Sequence, residues 1–263
     1  VWQGRVIDPH LTKGWNNIVF MLSGLWTTVL IAVVGMILSL VLGLIIALPG
    51  LSSFGPLKLL NRMLVEYLRA VPPIVMLLWI FYALPILTGR DFFAGVSGAF
   101  DWIYSGSWNY IFAPLTGGEP LTRATDFTRI VAGIIALSLV DAPFVAEIYR
   151  SGFQSIERGQ HDAADALGLN YINKLRFVLL PQVVRIVLPS LGNQFVLMVK
   201  MSSLVYVLGA QELTQRAGEI TTSTFLWLEP YTFLVLEYLV LVLLISGAVR
   251  LIEIRLRSGY GSR

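Results

Sequence analysis

Five charged residues interrupt stretches of this chain that are otherwise apolar: Asp141, Glu147, Arg185, Lys200 and Glu237. A charge set in hydrocarbon is strongly disfavoured. Each therefore needs an opposite partner, hydrogen-bonding groups or a water-filled cavity, and each is a candidate for handling a polar solute. Depth sorts them. Glu147 and Arg185 fall near the ends of their apolar stretches, where a long side chain reaches water, so they also read as anchors. Lys200 and Glu237 lie deeper and are placed to pair across two helices. Asp141 is near the middle of its stretch. Pro143 beside it predicts a local break, where freed backbone groups would line a cavity. Gln194, Ser202 and Ser203 add neutral hydrogen-bonding groups. For the two serines, helix–helix packing is the plainer role.

Other chemistries find little support. No GxxxxGK[ST] phosphate loop occurs, so ATP hydrolysis by this chain is not expected. There is no Cys, and the two His, His10 and His161, lie in different loops, so neither thiol chemistry nor a metal site is indicated. No nucleophile is paired with a nearby base in the sequence.

The elements that would position these charges are membrane helices. Of 263 residues, 56% are hydrophobic and only 13% charged, a balance that excludes disorder and argues against a soluble domain. The net charge of +3 is too small to point to nucleic acid. A span needs about 20 predominantly apolar residues, and five stretches qualify, near 19–48, 66–88, 128–151, 183–206 and 231–252. The first is long enough to tilt. Pro72 and Pro73 should kink or delay the second. Residues 89–127, rich in Gly, Trp, Tyr and Ser, read as a long extramembrane loop. The stretch 209–230 reads as polar, and the chain begins with Val, so its N-terminus is expected to be trimmed. Lys58, Arg62, Arg69, Arg150, Arg158, Lys174, Arg176, Arg250, Arg255 and Arg257 gather in one set of loops, which the positive-inside rule places in the cytoplasm. Five spans then put the N-terminus outside and the C-terminus inside.

The stretch 155–181 mixes charges with helix formers. It predicts two short helices. The Ala-rich segment from Asp162 should stop at Gly168 in a left-handed C′ position, and Asn170 should cap the next helix. Ala163, Ala164 and Ala166 give the first helix a small face that a groove on another protein could admit.

Asp162-Ala163-Ala164, Gly168, and Val178-Leu179-Leu180-Pro181 meet the spacing Glu-Ala-Ala-x3-Gly-x9-Ile-x-Leu-Pro, with Asp for Glu and Val for Ile. That pattern resembles the EAA loop of ABC importer permeases. Further stretches are similar to the polar amino acid (histidine/glutamine/general L-amino acid) family: Gly24-Leu25-Trp26-Thr27-Thr28, Glu66 to Pro72, Ala146-Glu147-Ile148-Tyr149-Arg150, Leu188 to Phe195, and Lys200 to Leu204. Val140-Asp141 and Met201 depart from the family pattern. The length of 89–127 resembles the general or neutral amino acid branch.

The resemblance implies an all-α integral membrane fold, that of a type I ABC importer permease. It implies five transmembrane helices and a cytoplasmic coupling helix, with Gln160, Asp162, Ala163, Ala164, Leu167 and Gly168 at the ATPase contact. The expected activity is translocation of L-amino acids, with no catalytic group in this chain. ATP and Mg are expected on separate ABC ATPase subunits. The other expected partners are a second permease subunit, a heterodimer being favoured, and an extracytoplasmic (periplasmic) amino acid-binding protein. The expected location is the bacterial inner membrane. An amino acid is a zwitterion, so Lys200, Ser202, Ser203 and Gln194 are the candidates for its carboxylate and Asp141 and Glu237 for its ammonium. The competing reading is an ion-gradient-driven secondary transporter with Asp141 and Glu237 as ion sites. The lack of an inverted repeat counts against it.

Overall fold

The computed structural model describes residues 6–52, 54–88 and 124–258. These form helices, with no strand among the described residues. Apolar side chains without water to solvate the backbone leave helix as the local solution, since each N–H and C=O is then satisfied within its own segment.

Helix α1, Thr12–Gly50, has 39 residues. At 1.5 Å per residue it is about 58 Å long, well beyond the ~30 Å hydrocarbon thickness of a bilayer. The span expected over 66–88 begins earlier and is broken. Helix α2, Gly55–Ala70, ends before Val71, and α3, Pro73–Thr88, starts afresh. The break follows from the prolines. Pro72 holds the extended torsions φ −59° and ψ 136°, and Pro73 occupies the first helical position. A π-helical turn, Trp79–Ala83, lies within α3. Helix α4 runs over Ala124–Gln154, α5 over Arg158–Ala166, and α6 over Tyr171–Leu208. In α6 a π-helical turn, Lys174–Leu179, precedes the regular Leu180–Met201, and a 3-10 stretch, Ser202–Leu208, ends it. Helix α7 covers Leu213–Thr224 and α8 Leu228–Ser258. Among the described residues four helices are long and apolar enough to cross a membrane, and a fifth crossing results if the broken pair α2–α3 counts as one. The loop expected over 89–127 falls, in 89–123, outside the described residues.

One expectation fails here. Pro143 does not break its helix: α4 is continuous through it. Pro143 is buried, and Gly43 of α1 lies so close to Val145 that a Cβ there would sit 2.6 Å from its methyl, so packing holds the turn together. The stretch 209–230, which reads as polar, has a buried apolar face. It contains α7, whose Leu213, Ala217, Ile220 and Thr221 recur at helical spacing and are all buried.

The chain divides into two compact units. The first takes Val1–Gly35, Val71–Ser138 and Met198–Val242, with Met21, Ile31, Leu77, Ile130, Leu137 and Met198 among its fully buried side chains. Here Gly24 of α1 admits the start of α7. A Cβ on Gly24 would fall 2.7 Å from the backbone of Glu212 and Leu213. Gly133 likewise faces Val205. The second unit takes Met36–Ala70, Leu139–Leu197 and Leu243–Arg263. Its core includes Ile156, Leu179, Val183 and Val187, against which Ile148, Phe153 and Leu175 pack. Gly152 faces Val187, and Gly192 faces Val249, each at a distance only a hydrogen can occupy.

Candidate functional site

In the second unit Asp141 is buried and fully engaged. Its carboxylate accepts a hydrogen bond from the Ser39 hydroxyl and another from the Gln194 side-chain amide. Two of the residues singled out in the sequence thus come together, but as partners of each other. A buried carboxylate with two good donors is a stable arrangement that needs no solute to complete it. Nearer the end of α4, Glu147 takes a two-pronged contact from Arg150, which also donates to Gln154 at 2.8 Å. The Arg69 guanidinium lies 4.8 Å over the Phe144 ring. Arg185 is exposed.

The remaining candidates belong to the first unit. Ser202 is fully buried, and its hydroxyl donates to the Val199 carbonyl at 2.7 Å. Ser203 donates to the Lys200 carbonyl at 2.8 Å. Both hydroxyls tie down the transition from α-helix to 3-10 helix at the end of α6, a local role typical of serine in helices. Lys200 is exposed. The Lys200–Glu237 pair expected from depth is not formed. Glu237 is buried, and neither of its carboxylate oxygens has a hydrogen-bond partner among the described residues. Depth along a helix sets how far a side chain lies from water, but not the direction in which it points.

Glu212 is a buried acid that sequence reasoning does not single out. It is completely buried at the N-cap of α7. Its carboxylate accepts from the backbone N–H of Thr214 at 2.9 Å and of Gln215 at 2.8 Å, and from the Tyr238 hydroxyl at 3.1 Å. Burial pushes its carboxyl up to about 7, against the hydrogen bonds, which favour the ionised form. Thr28 joins the same corner. Its hydroxyl donates to the Gly24 carbonyl and accepts from the Leu213 N–H. Glu229 is also buried and accepts from the N–H groups of Val6 and Ile7. The available signal was a Glu directly before buried-spaced Leu213, Ala217 and Ile220, which is a helix start. Among the described residues no group of three His, Cys, Asp or Glu could hold a metal.

The 155–181 stretch folds as its residues dictate. Helix α5 closes with Gly168 at φ +68°. The Leu169 N–H reaches back to the Ala164 carbonyl at 3.2 Å, and the Gly168 N–H to that of Asp165 at 2.9 Å, the paired bonds of a Schellman stop. Asn170 caps the next turn by accepting from the Asn173 N–H at 2.9 Å. Lys174 ties that turn back to Asp165 at 2.7 Å. Within α5, Ala164 is buried, whereas Gln160, Asp162, Ala163, Leu167 and Gly168 are exposed. Leu167 is 78% exposed, and Tyr171 and Ile172 beside it are 76% and 71% exposed. The Gln160 side-chain amide oxygen also accepts from the Gln182 side-chain amide on α6 at 3.1 Å. The result is a short helix with a small, open, partly apolar face, fixed from beneath.

The chain is similar to known transport proteins over most of its length. A probable glutamine ABC transporter permease protein, GlnM, of Bacillus subtilis (strain 168) is 30% identical over 245 residues, 93% of this chain and 97% of that protein. The arginine transport system permease protein ArtQ of the same organism is 29% identical over 242 residues, 92% and 94% of the two chains. Among solved structures, an amino acid ABC transporter crystallised with histidines superposes with a TM-score of 0.70 at 29% identity, covering 92% of this chain and 96% of that one. An inward-facing MetNI methionine ABC transporter, at 19% identity, gives a TM-score of 0.66, over 90% of this chain and 96% of that one, and shares the fold. The model of the binding-protein-dependent transport system inner membrane component family matches residues 39–258, well over half of the chain, and this protein belongs to that family.

Proposed function

We propose that this chain is the membrane-spanning permease subunit of an ATP-driven importer of amino acids, and that it contributes passage and coupling but no catalytic group. The observation that carries the reading is α5. Its small face is open, while Ala164 and the core of Ile156, Leu179 and Val183 hold it from below. A helix so presented can transmit a push without deforming. On this reading ABC ATPase subunits, which bind ATP and Mg, dock Gln160, Asp162, Ala163, Leu167 and Gly168. Closure of the ATPases then moves the membrane helices. An extracytoplasmic binding protein delivers the substrate, and a second, similar permease completes the pore, a heterodimer being favoured. The N-terminus lies outside and the C-terminus in the cytoplasm, in keeping with the basic loops. Family membership weighs against the ion-gradient alternative.

For the substrate, the orphan carboxylate of Glu237 is the group best suited to an ammonium, because a buried carboxylate without a donor is unfavourable until a cation or a proton arrives. Lys200, with Ser202 and Ser203 beside it, is the corresponding candidate for the carboxylate. Asp141 and Gln194 support the helix wall.

The test is amino acid uptake into proteoliposomes holding both permeases, the ATPases and the binding protein. Uptake should require ATP and be lost without the ATPases, and an ion gradient alone should not drive it. Gly168→Val forces a β-branched residue toward a left-handed conformation at a cost of roughly 1–2 kcal/mol. It should cut ATPase stimulation by loaded binding protein while membrane insertion persists. Normal coupling in Gly168→Val would remove α5 from this role. Reporters at Gly106 and Arg158 should read opposite sides of the membrane.

A further inference from the structure

Helix α2 serves neither the coupling face nor the substrate candidates, and its three faces differ sharply. One face is pinned. Asn61 donates to the Ile46 carbonyl of α1 at 2.6 Å, Val65 is buried, and Gly50 leaves room for Asn61 where a Cβ would not fit. The broad opposite face is apolar and open. It carries Leu59, Leu60, Met63, Leu64 and Tyr67, with Leu60 65% and Tyr67 70% exposed. Along one edge between these faces run Lys58, Arg62 and Arg69, which helical spacing aligns from the first turn to the last. Three cations stand there against Glu66 of the same helix, which Arg62 engages at 3.0 Å, and Glu147 of α4, which Arg150 holds and which also attracts Arg62 and Arg69. Arg69 lays its flat face over the Phe144 ring of α4 at 4.8 Å, which holds it at the edge of the helix.

We propose that α2 is a lipid-anchoring helix. Its apolar face lies among acyl chains, and its basic edge holds the phosphates of anionic phospholipid in the same leaflet. That leaflet is the cytoplasmic one, on the orientation proposed above. The charge pattern favours lipid over a protein groove. A groove that receives an apolar helix needs matching carboxylates only where single cations fall, whereas an edge with three cations from its first turn to its last, beside an apolar face, fits the plane where headgroups meet acyl chains. The edge carries no periodic acid that a second copy of this chain would need for self-complementary pairing.

The experiment uses the assembled importer in nanodiscs of phosphatidylcholine, with or without phosphatidylglycerol. Phosphatidylglycerol should raise the Tm of the wild type. Lys58→Gln with Arg62→Gln should lose most of that rise, while its Tm in phosphatidylcholine alone stays near wild type. Lys58→Arg with Arg62→Lys should keep the rise. An undiminished response in the Gln pair would overturn the proposal. In an otherwise wild-type complex, a photo-crosslinking amino acid at Leu60 should capture lipid. Capture of another polypeptide instead would also overturn it, and this measurement does not depend on the Gln pair folding. ATP-driven uptake measured in parallel separates this inference from the functional reading. A lipid-dependent Tm without uptake sinks only the importer, and uptake without the lipid dependence sinks only the anchor.

Discussion

Asp141 and Glu237 are both acids set into long apolar helices, one in each compact unit, and their surroundings are opposite. Asp141 receives hydrogen bonds from Ser39 and Gln194. Glu237 is also buried and receives none among the described residues. The difference teaches that an acid within a membrane helix is not by itself a sign of transport. Asp141 is complete as it stands and works as a three-helix joint between α1, α4 and α6 within its unit. Glu237 is incomplete, and incompleteness is what a passing cation can exploit.

The largest effect should come from breaking the complete site. Asp141→Leu strands the Ser39 hydroxyl and the Gln194 amide and should cost about 3 kcal/mol, read as a fall in the Tm of the purified complex. If Asp141→Leu is as stable as wild type, the two acids are not different in kind. Glu212 tests the intermediate case, a buried acid with donors that still pays for burial. Its folded pKa is raised to about 7 from an ordinary 4.5, so the folded state binds the proton more tightly than the unfolded chain does. Its contribution to stability is therefore greatest below pH 4.5 and is lost as pH rises through 7, roughly 3 kcal/mol in all. Glu212→Gln should flatten that slope in a series of melting curves. A slope of the opposite sign would place the Glu212 proton wrongly.

The smallest change in stability belongs to Glu237→Gln, within about 0.5 kcal/mol of wild type, because no donor loses its acceptor. Uptake should nonetheless fall about tenfold or more, equivalent to at least about 1.4 kcal/mol of lost interaction with the substrate. A destabilised Glu237→Gln with normal uptake would turn the comparison round. Because Lys200 and Glu237 do not pair, adding Lys200→Met should give no rescue. Recovery of uptake in the double variant would show that they pair in another state of the cycle.

What the sequence made legible follows the range of the interaction. The stop at Gly168 and the cap at Asn170 were readable because their partners, Ala164, Asp165 and Asn173, are within a turn or two. The apolar helices were readable from composition, although their ends moved, because a helix continues past the hydrocarbon until something such as Pro72 stops it. The break that Pro72 and Pro73 lead one to expect near 66–88 is present, but the helix before it starts earlier, at Gly55. Glu212 was opaque because its burial depends on Gly24, far away in the chain. The Asp141–Gln194 bond is hidden for the same reason: the two residues lie 53 positions apart, and only packing brings them together. Pro143 misled because the local rule for proline yields to tight packing around Val145.

The four glycine–valine contacts have one more consequence. Gly43 with Val145, Gly133 with Val205, Gly152 with Val187, and Gly192 with Val249 each press a bare backbone onto a branched side chain of a neighbouring helix. Neither partner can grow alone. An alanine in place of any of these glycines is admissible only if the facing valine shrinks at the same time, so these positions must drift through mutation in pairs, as the teeth and gaps of one key must be recut together with its lock.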